Sequence, residues 1–212
     1  MNEYDRHLTD VIEGRIQVVT VLPDGTVLDG VNTAMTVLPG AFNPLHAGHE
    51  GMLAAAAEIT GQAVSFELSV VNVDKPELPE SEVRSRLVQF SGRFTVLVSR
   101  APTFLEKSRL MPDTSFVIGY DTAVRLFDDL YYPEYDINSD LERTGSAMLS
   151  AMSEIRRNGC DFVVAGRVTD EGFRTVDDLD IPHGYREMLQ EIPRDVFRDD
   201  ISSTQIRRSQ SC

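Results

Sequence analysis

Short runs dominated by valine, isoleucine, leucine and phenylalanine recur along the chain at 34–38, 64–71, 94–98, 115–118 and 161–165. Between them lie stretches with helical patterning at 47–60, 80–91, 121–129 and 143–157. Strands that are apolar at nearly every position suit a parallel sheet covered by helices on both faces, because neither face then meets water. The alternation therefore predicts an α/β fold, a Rossmann-like doubly wound parallel sheet. In such sheets ligands gather beyond the carboxyl ends of the strands, which directs attention to the loops after each strand.

Ahead of this pattern the chain behaves differently. Residues 1 to 13 are polar and read as a short helix or an unstructured arm. Arg15 to Leu22 is a β-rich run, Pro23-Asp24-Gly25 a turn and Thr26 to Leu28 a returning strand, so residues 1–33 read as an N-terminal extension with a β-hairpin and 34–212 as the main domain. The acidic, aromatic stretch from Asp128 to Asp136 breaks the α/β rhythm and marks an insertion over 128–142. A short strand is expected near Val196-Phe197.

Two strings carry chemistry. The first, Pro39-Gly-Ala-Phe-Asn-Pro-Leu-His-Ala-Gly-His49, runs from the first strand into a helix. Gly40 permits a tight turn, and Gly48 allows close approach of backbone or ligand. His46 and His49 are three residues apart, so on a helical first turn both imidazoles share one side, at the positive end of the helix dipole. Two donors directed at one anion suit phosphoryl or nucleotidyl transfer, which depends on positioning and on stabilising spreading negative charge. The second string, Ile201-Ser-Ser-Thr-Gln-Ile-Arg-Arg208, offers Ser202, Ser203 and Thr204 as helix-capping hydroxyls and an anion cradle, with Arg207 one turn on. Taken alone, that string reads more readily as an ordinary helix cap.

The first string resembles the G-x-F-x-P-x-H-x-G-H signature of the HxGH nucleotidyltransferase superfamily, with its cytidylyltransferase-like fold. Its Asn43-Pro44 form is most similar to nicotinamide and nicotinate mononucleotide adenylyltransferases. The second resembles the superfamily's I-S-S-T-x-I-R signature. The resemblance implies that His46 and His49 bind the α-phosphate of a nucleoside triphosphate and stabilise the transition state. Gly40, Ala41, Phe42 and Asn43 would then face the phosphates and the acceptor, with Ser203, Thr204 and Arg207 at the β- and γ-phosphates. It makes 34–212 a nucleotidyltransferase domain, with ATP the expected donor, a small phosphorylated acceptor the expected partner, and Mg²⁺ held mainly by the triphosphate. A cytidylyltransferase acting on a phosphorylated alcohol and a non-catalytic nucleotide-binding module are the alternatives.

Between the signatures, Gly119-Tyr120-Asp121 resembles the G-x-D that approaches the nucleotide ribose in such enzymes, while Asp121 also reads as a helix N-cap. Lys75 is a candidate phosphate contact in the loop after the second strand. Arg86 reads as part of a solvated helix face. Arg167 stands at the ligand edge of the fifth strand, where pairing with nearby acids is the other reading. The chain has no tryptophan, so stacking on an acceptor ring falls to Phe104, Tyr120, Tyr131, Tyr132 or Tyr135, residues that at these spacings more often serve core or lid packing.

Charge narrows the partners. The chain of 212 residues has 20 Lys+Arg against 34 Asp+Glu, a formal net charge of −14. A surface of that sign repels a nucleic-acid polymer or an anionic membrane, so the phosphate ligand is expected to be small and its pocket locally basic. Cys160 and Cys212 form neither a disulfide framework nor a zinc spacing. With no apolar run near the roughly 20 residues of a membrane span and no leader pattern in Met1-Asn-Glu-Tyr-Asp5, a cytoplasmic protein is expected. No G-x-x-x-x-G-K-[ST] or G-x-G-x-x-G string is present.

Overall fold

The computed structural model describes residues 2–31, 35–73, 76–132, 146–170 and 172–197. In chain order the elements are α1 (Glu3–Ile12), β1 (Val18–Val21), β2 (Val27–Asp29), β3 (Thr36–Pro39), α2 (Ala47–Thr60), β4 (Val64–Ser69), α3 (Glu80–Leu87), β5 (Val96–Ser99), α4 (Phe104–Leu110), β6 (Ser115–Gly119), α5 (Tyr120–Leu126), α6 (Ser146–Arg157), β7 (Asp161–Ala165), β8 (Arg167–Thr169), β9 (Gly172–Arg174) and β10 (Leu189–Ile192). Eight strands form one sheet in the order β10-β7-β6-β3-β4-β5-β1-β2. The six from β10 to β5 are mutually parallel. The chain winds outward from β3 through β4 and β5, then returns to the other side of β3 for β6, β7 and β10, which is the doubly wound arrangement.

Alternate residues of each parallel strand explain why both faces need cover. Leu38, Phe66, Leu68, Val96, Val98, Val117 and Val163 face a cluster completed by Leu8 and Val11 of α1, Leu53 and Ala56 of α2, and Val83 and Leu87 of α3. Val37, Leu97, Phe116, Ile118, Phe162 and Val164 face a second cluster completed by Ala123 and Leu126 of α5 and by Met148, Met152 and Ile155 of α6. The β1–β2 hairpin continues the sheet, because β1 pairs antiparallel with β5 from Val18↔Ser99 to Val21↔Val96. The polar N-terminus forms α1, started by Asn2, whose side chain accepts from the Asp5 N–H at 2.7 Å.

Three local expectations change. No strand forms at Val196-Phe197; both N–H groups donate to the Pro193 carbonyl, at 3.0 and 3.1 Å, in a turn. Helix α4 was not anticipated because Phe-Leu-Glu-Lys-Ser-Arg-Leu carries no apolar stripe, although Thr103 and Glu106 form a reciprocal capping box at its start. Strand β10, Leu-Gln-Glu-Ile, is half polar and forms by pairing with β7 at the sheet's edge. Most of the 128–142 insertion, including Tyr135, lies outside the described residues.

Candidate active site

Strands β3 and β6 are neighbours at the point where the winding reverses, yet they pair only at Thr36↔Ser115 and Val37↔Phe116. Beyond that register β3 runs on to Pro39 and β6 to Gly119. Those ends pair only with β4 and β7 on their outer sides, and their separation is where a doubly wound sheet offers a ligand a crevice. The first signature enters it from one side and Gly119-Tyr120-Asp121 from the other.

The signature loop is built around the Phe42 side chain. Its ring is 1 % exposed and packs edge-on against Phe66, Phe90 and His49 at centroid distances of 5.2, 5.3 and 5.2 Å. Reaching that position requires Phe42 to adopt φ 45°, a left-handed conformation that costs a bulky residue about 1–3 kcal/mol and is held by the burial of the ring. The ring also explains Gly40: a Cβ there would lie 2.7 Å from the Phe42 ring. Gly40 remains tied to the sheet through its N–H, which donates to the Glu67 carbonyl at 2.9 Å. Ala41 and Asn43 are exposed on the loop, and the Asn43–Pro44 peptide is cis.

His46 is the N-cap of α2, and Gly48 and His49 follow in its first turn. The two imidazoles stack with centroids 3.7 Å apart and planes inclined by 26°, so the shared side expected from their spacing is realised. The His46 N–H donates to His49 Nδ1 at 3.3 Å, which places the proton of a neutral His49 ring on Nε2. Burial, reinforced by the adjacent His46, lowers the His49 pKa to about 4. His49 is therefore neutral at pH 7, and the expectation of a basic pocket changes in kind. This ring contributes an N–H donor, and the free amides and dipole of α2 supply the positive end.

On the other bank Gly119 is the N-cap of α5, leaving Asp121 in the first turn rather than at the cap. The exposed carboxylate of Asp121 forms an ion pair with Arg167, so two separately named candidates meet across the ends of β6 and β7. Tyr120 lines a cleft of about 530 Å³ with Thr169, Asp170, Arg174 and Asp178. Among the other aromatic candidates, Phe104 packs edge-on against Phe116 and Phe162 in the core. The Tyr132 hydroxyl donates to the Leu126 carbonyl at 2.8 Å, and burial raises its pKa to about 12. Tyr131 is exposed near the Arg125 guanidinium.

Lys75, Ser202, Ser203, Thr204 and Arg207 lie outside the described residues. The Phe197 ring packs on α2, where a Cβ at Gly51 would come within 2.9 Å of it, two residues beyond His49.

Sequence reasoning missed two residues of α3 and the turn after it. Arg86, read as solvent-facing, has a side chain only 12 % exposed. It is held by Glu82 at 2.8 Å and donates to the Ala41 carbonyl at 2.8 Å. Gln89 donates to the Phe42 carbonyl at 3.0 Å and accepts from the Leu45 N–H at 2.7 Å. Neither is part of a motif. The one available signal was the i,i+4 spacing of Glu82 and Arg86, which foretells their pairing and not its target.

A doubly wound parallel sheet whose reversal is headed by a helix N-terminus with two stacked histidines defines an α/β domain with a place for an anionic ligand. Residues 37–209 match the sequence pattern described as cytidylyltransferase-like, and the chain belongs to that family. It is also similar to a Schizosaccharomyces pombe protein named "Putative nicotinamide mononucleotide adenylyltransferase", 27% identical over 112 residues, which cover 46% of this chain and 44% of the relative. The aligned region thus spans less than half the length of that curated relative. No helix among the described residues is long and apolar enough to cross a membrane.

Proposed function

We propose that the protein is a nucleotidyltransferase that moves the AMP moiety of ATP onto a small phosphorylated acceptor, nicotinamide or nicotinate mononucleotide being the first choice, and releases pyrophosphate. The observation that carries this reading is the stacked His46–His49 pair at the head of α2, the helix that follows β3 where the sheet's winding reverses. An acceptor phosphate oxygen attacks the α-phosphorus; the new P–O bond forms as the bond to the bridging oxygen of pyrophosphate breaks. His49 donates its Nε2–H to the α-phosphoryl oxygens. The ring stays neutral, since Nδ1 is taken by the His46 N–H, and its Nε2–H dipole points at the negative charge as it accumulates. Ser203, Thr204 and Arg207 act on the leaving pyrophosphate in this reading, and Asp121, with Arg167 beside it, accepts ribose hydroxyls.

Among the described residues no group of three or more His, Cys, Asp and Glu side chains is arranged to hold a metal. Magnesium arrives in this reading as the triphosphate's own counter-ion, in keeping with its preference for phosphate and water ligands.

The family description favours a second reading, in which CTP and a phosphorylated alcohol take the places of ATP and the mononucleotide. Pyrophosphate release measured for each nucleoside triphosphate with each acceptor class separates the two. ATP-dependent release with a mononucleotide is the expected result. Release only with CTP and a phosphoalcohol replaces the first reading with the second, and tight ATP binding without release from any pair indicates a binding module. We propose the cytoplasm as the site of action.

A further inference from the structure

We propose that Gln89 is a positioning residue that sets the signature loop, and with it His46, for catalysis. The inference rests on the nucleotidyl-transfer reading and adds to it a residue outside both signatures.

The loop from Gly40 to Leu45 leaves the sheet and cannot satisfy its own backbone. Ala41 O, Phe42 O and Leu45 N–H all turn toward the segment formed by α3 and the 3₁₀ turn Val88–Phe90. Arg86 serves the first. The single carboxamide of Gln89 serves the other two, donating at 3.0 Å and accepting at 2.7 Å, so it spans the loop as a neighbouring strand would. A second hydrogen on Gln89 Nε2 reaches the Arg86 carbonyl at 3.1 Å, which fixes the amide's orientation. On either side Leu87 and Phe90 are buried in the core, so the carboxamide is presented from a rigid base.

Both bonds bear on the site. Phe42 is the residue with φ 45°, and its carbonyl is oriented by that conformation. Leu45 directly precedes His46, whose own carbonyl accepts the first amide bonds of α2, from His49 at 3.0 Å and Glu50 at 3.3 Å. A shift at Leu45 therefore moves the N-cap and the donor pair together. A misplacement on the order of 1 Å in a catalytic group costs as much as 100-fold in rate.

Gln89→Leu keeps the side-chain bulk and removes both bonds; Gln89→Glu keeps the acceptor for Leu45 and loses the donor to Phe42. The assays are steady-state pyrophosphate release with ATP and the best acceptor, amide hydrogen exchange at Leu45, and the melting temperature. Gln89→Leu is expected to lower kcat about 10- to 100-fold with KM for ATP within about threefold, to speed Leu45 exchange, and to leave the fold intact at the assay temperature. Gln89→Glu is expected to retain Leu45 protection and an intermediate rate, and it carries the test if the leucine variant does not fold. Unchanged Leu45 exchange in Gln89→Leu, or faster exchange with kcat within about twofold of the parent, overturns the proposal. Absence of turnover in the unmodified protein would instead reject the nucleotidyl-transfer reading, while the exchange measurement still reports on the clamp.

Discussion

Replacing Lys107 with methionine isolates one buried charge in the interior and leaves packing nearly constant. Lys107 on α4 is 5 % exposed and Glu67 on β4 is 0 % exposed. The ammonium contacts both carboxylate oxygens at 2.8 Å and the Ala101 carbonyl at 2.7 Å, and the Ser99 hydroxyl donates to the same carboxylate. Lys107→Met leaves Glu67 with the Ser99 hydroxyl and no cation. Breaking a buried pair from one side costs about 3–5 kcal/mol, a large part of a typical total of about 5–15 kcal/mol. For a chain of this size about 1 kcal/mol corresponds to about 2–4 °C, so Tm should fall by about 6–20 °C. Glu67→Met combined with Lys107→Met removes both charges at similar volume and should recover most of the loss. Urea and thermal unfolding of the single and double variants measure this. A loss below about 1 kcal/mol in Lys107→Met, the range of exposed pairs, would refute the claim that the pair is desolvated.

Further outcomes follow from the site. His49→Ala should lower kcat with the best acceptor about 10²–10³-fold, and full activity would remove the ring from the mechanism. NMR titration of the ligand-free protein should show His49 titrating at about 4; a midpoint near the ordinary 6.5 would contradict its burial. Because the folded-state pKa lies below the unfolded one, the unfolded chain binds the extra proton. Stability should therefore decline as pH falls from about 6.5 through about 4, with His49→Phe flattening that part of the thermal-denaturation profile. Gly51→Ala brings a methyl within 2.9 Å of the Phe197 ring and also gains about 1 kcal/mol of helix propensity. Tm should thus stay level or rise while KM for the nucleotide increases, a split that unchanged KM would deny.

Much of the architecture was visible in the sequence because the parallel strands are apolar on both faces. The runs at 34–38, 64–71, 94–98, 115–118 and 161–165 correspond to β3 to β7, and the 47–60 stretch matches α2. The placement of His46 and His49 was equally accessible, since a three-residue spacing at a helix start fixes relative direction. What escaped was non-local. Strand β10 owes its conformation to β7, and α4 carries a cap signal without an apolar stripe. Arg86 and Gln89 act on a loop more than forty residues away, where no periodicity points. The charge state of His49 escaped as well, because it depends on burial by Phe42 and stacking on His46 rather than on residue type. Net charge was likewise a poor guide to the ligand edge of the sheet, where Arg167 is paired with Asp121.

Nucleotidyl transfer makes the α-phosphorus of ATP the reacting atom. Incubating the protein with ATP labelled separately at the α- and γ-phosphorus, in the presence of a mononucleotide acceptor, tests it most directly. The α-label should appear in the acceptor product and the γ-label in pyrophosphate, both about 10²–10³-fold more slowly in His49→Ala. Transfer of the γ-label to the acceptor, or no transfer of either label to any phosphorylated acceptor, would contradict it.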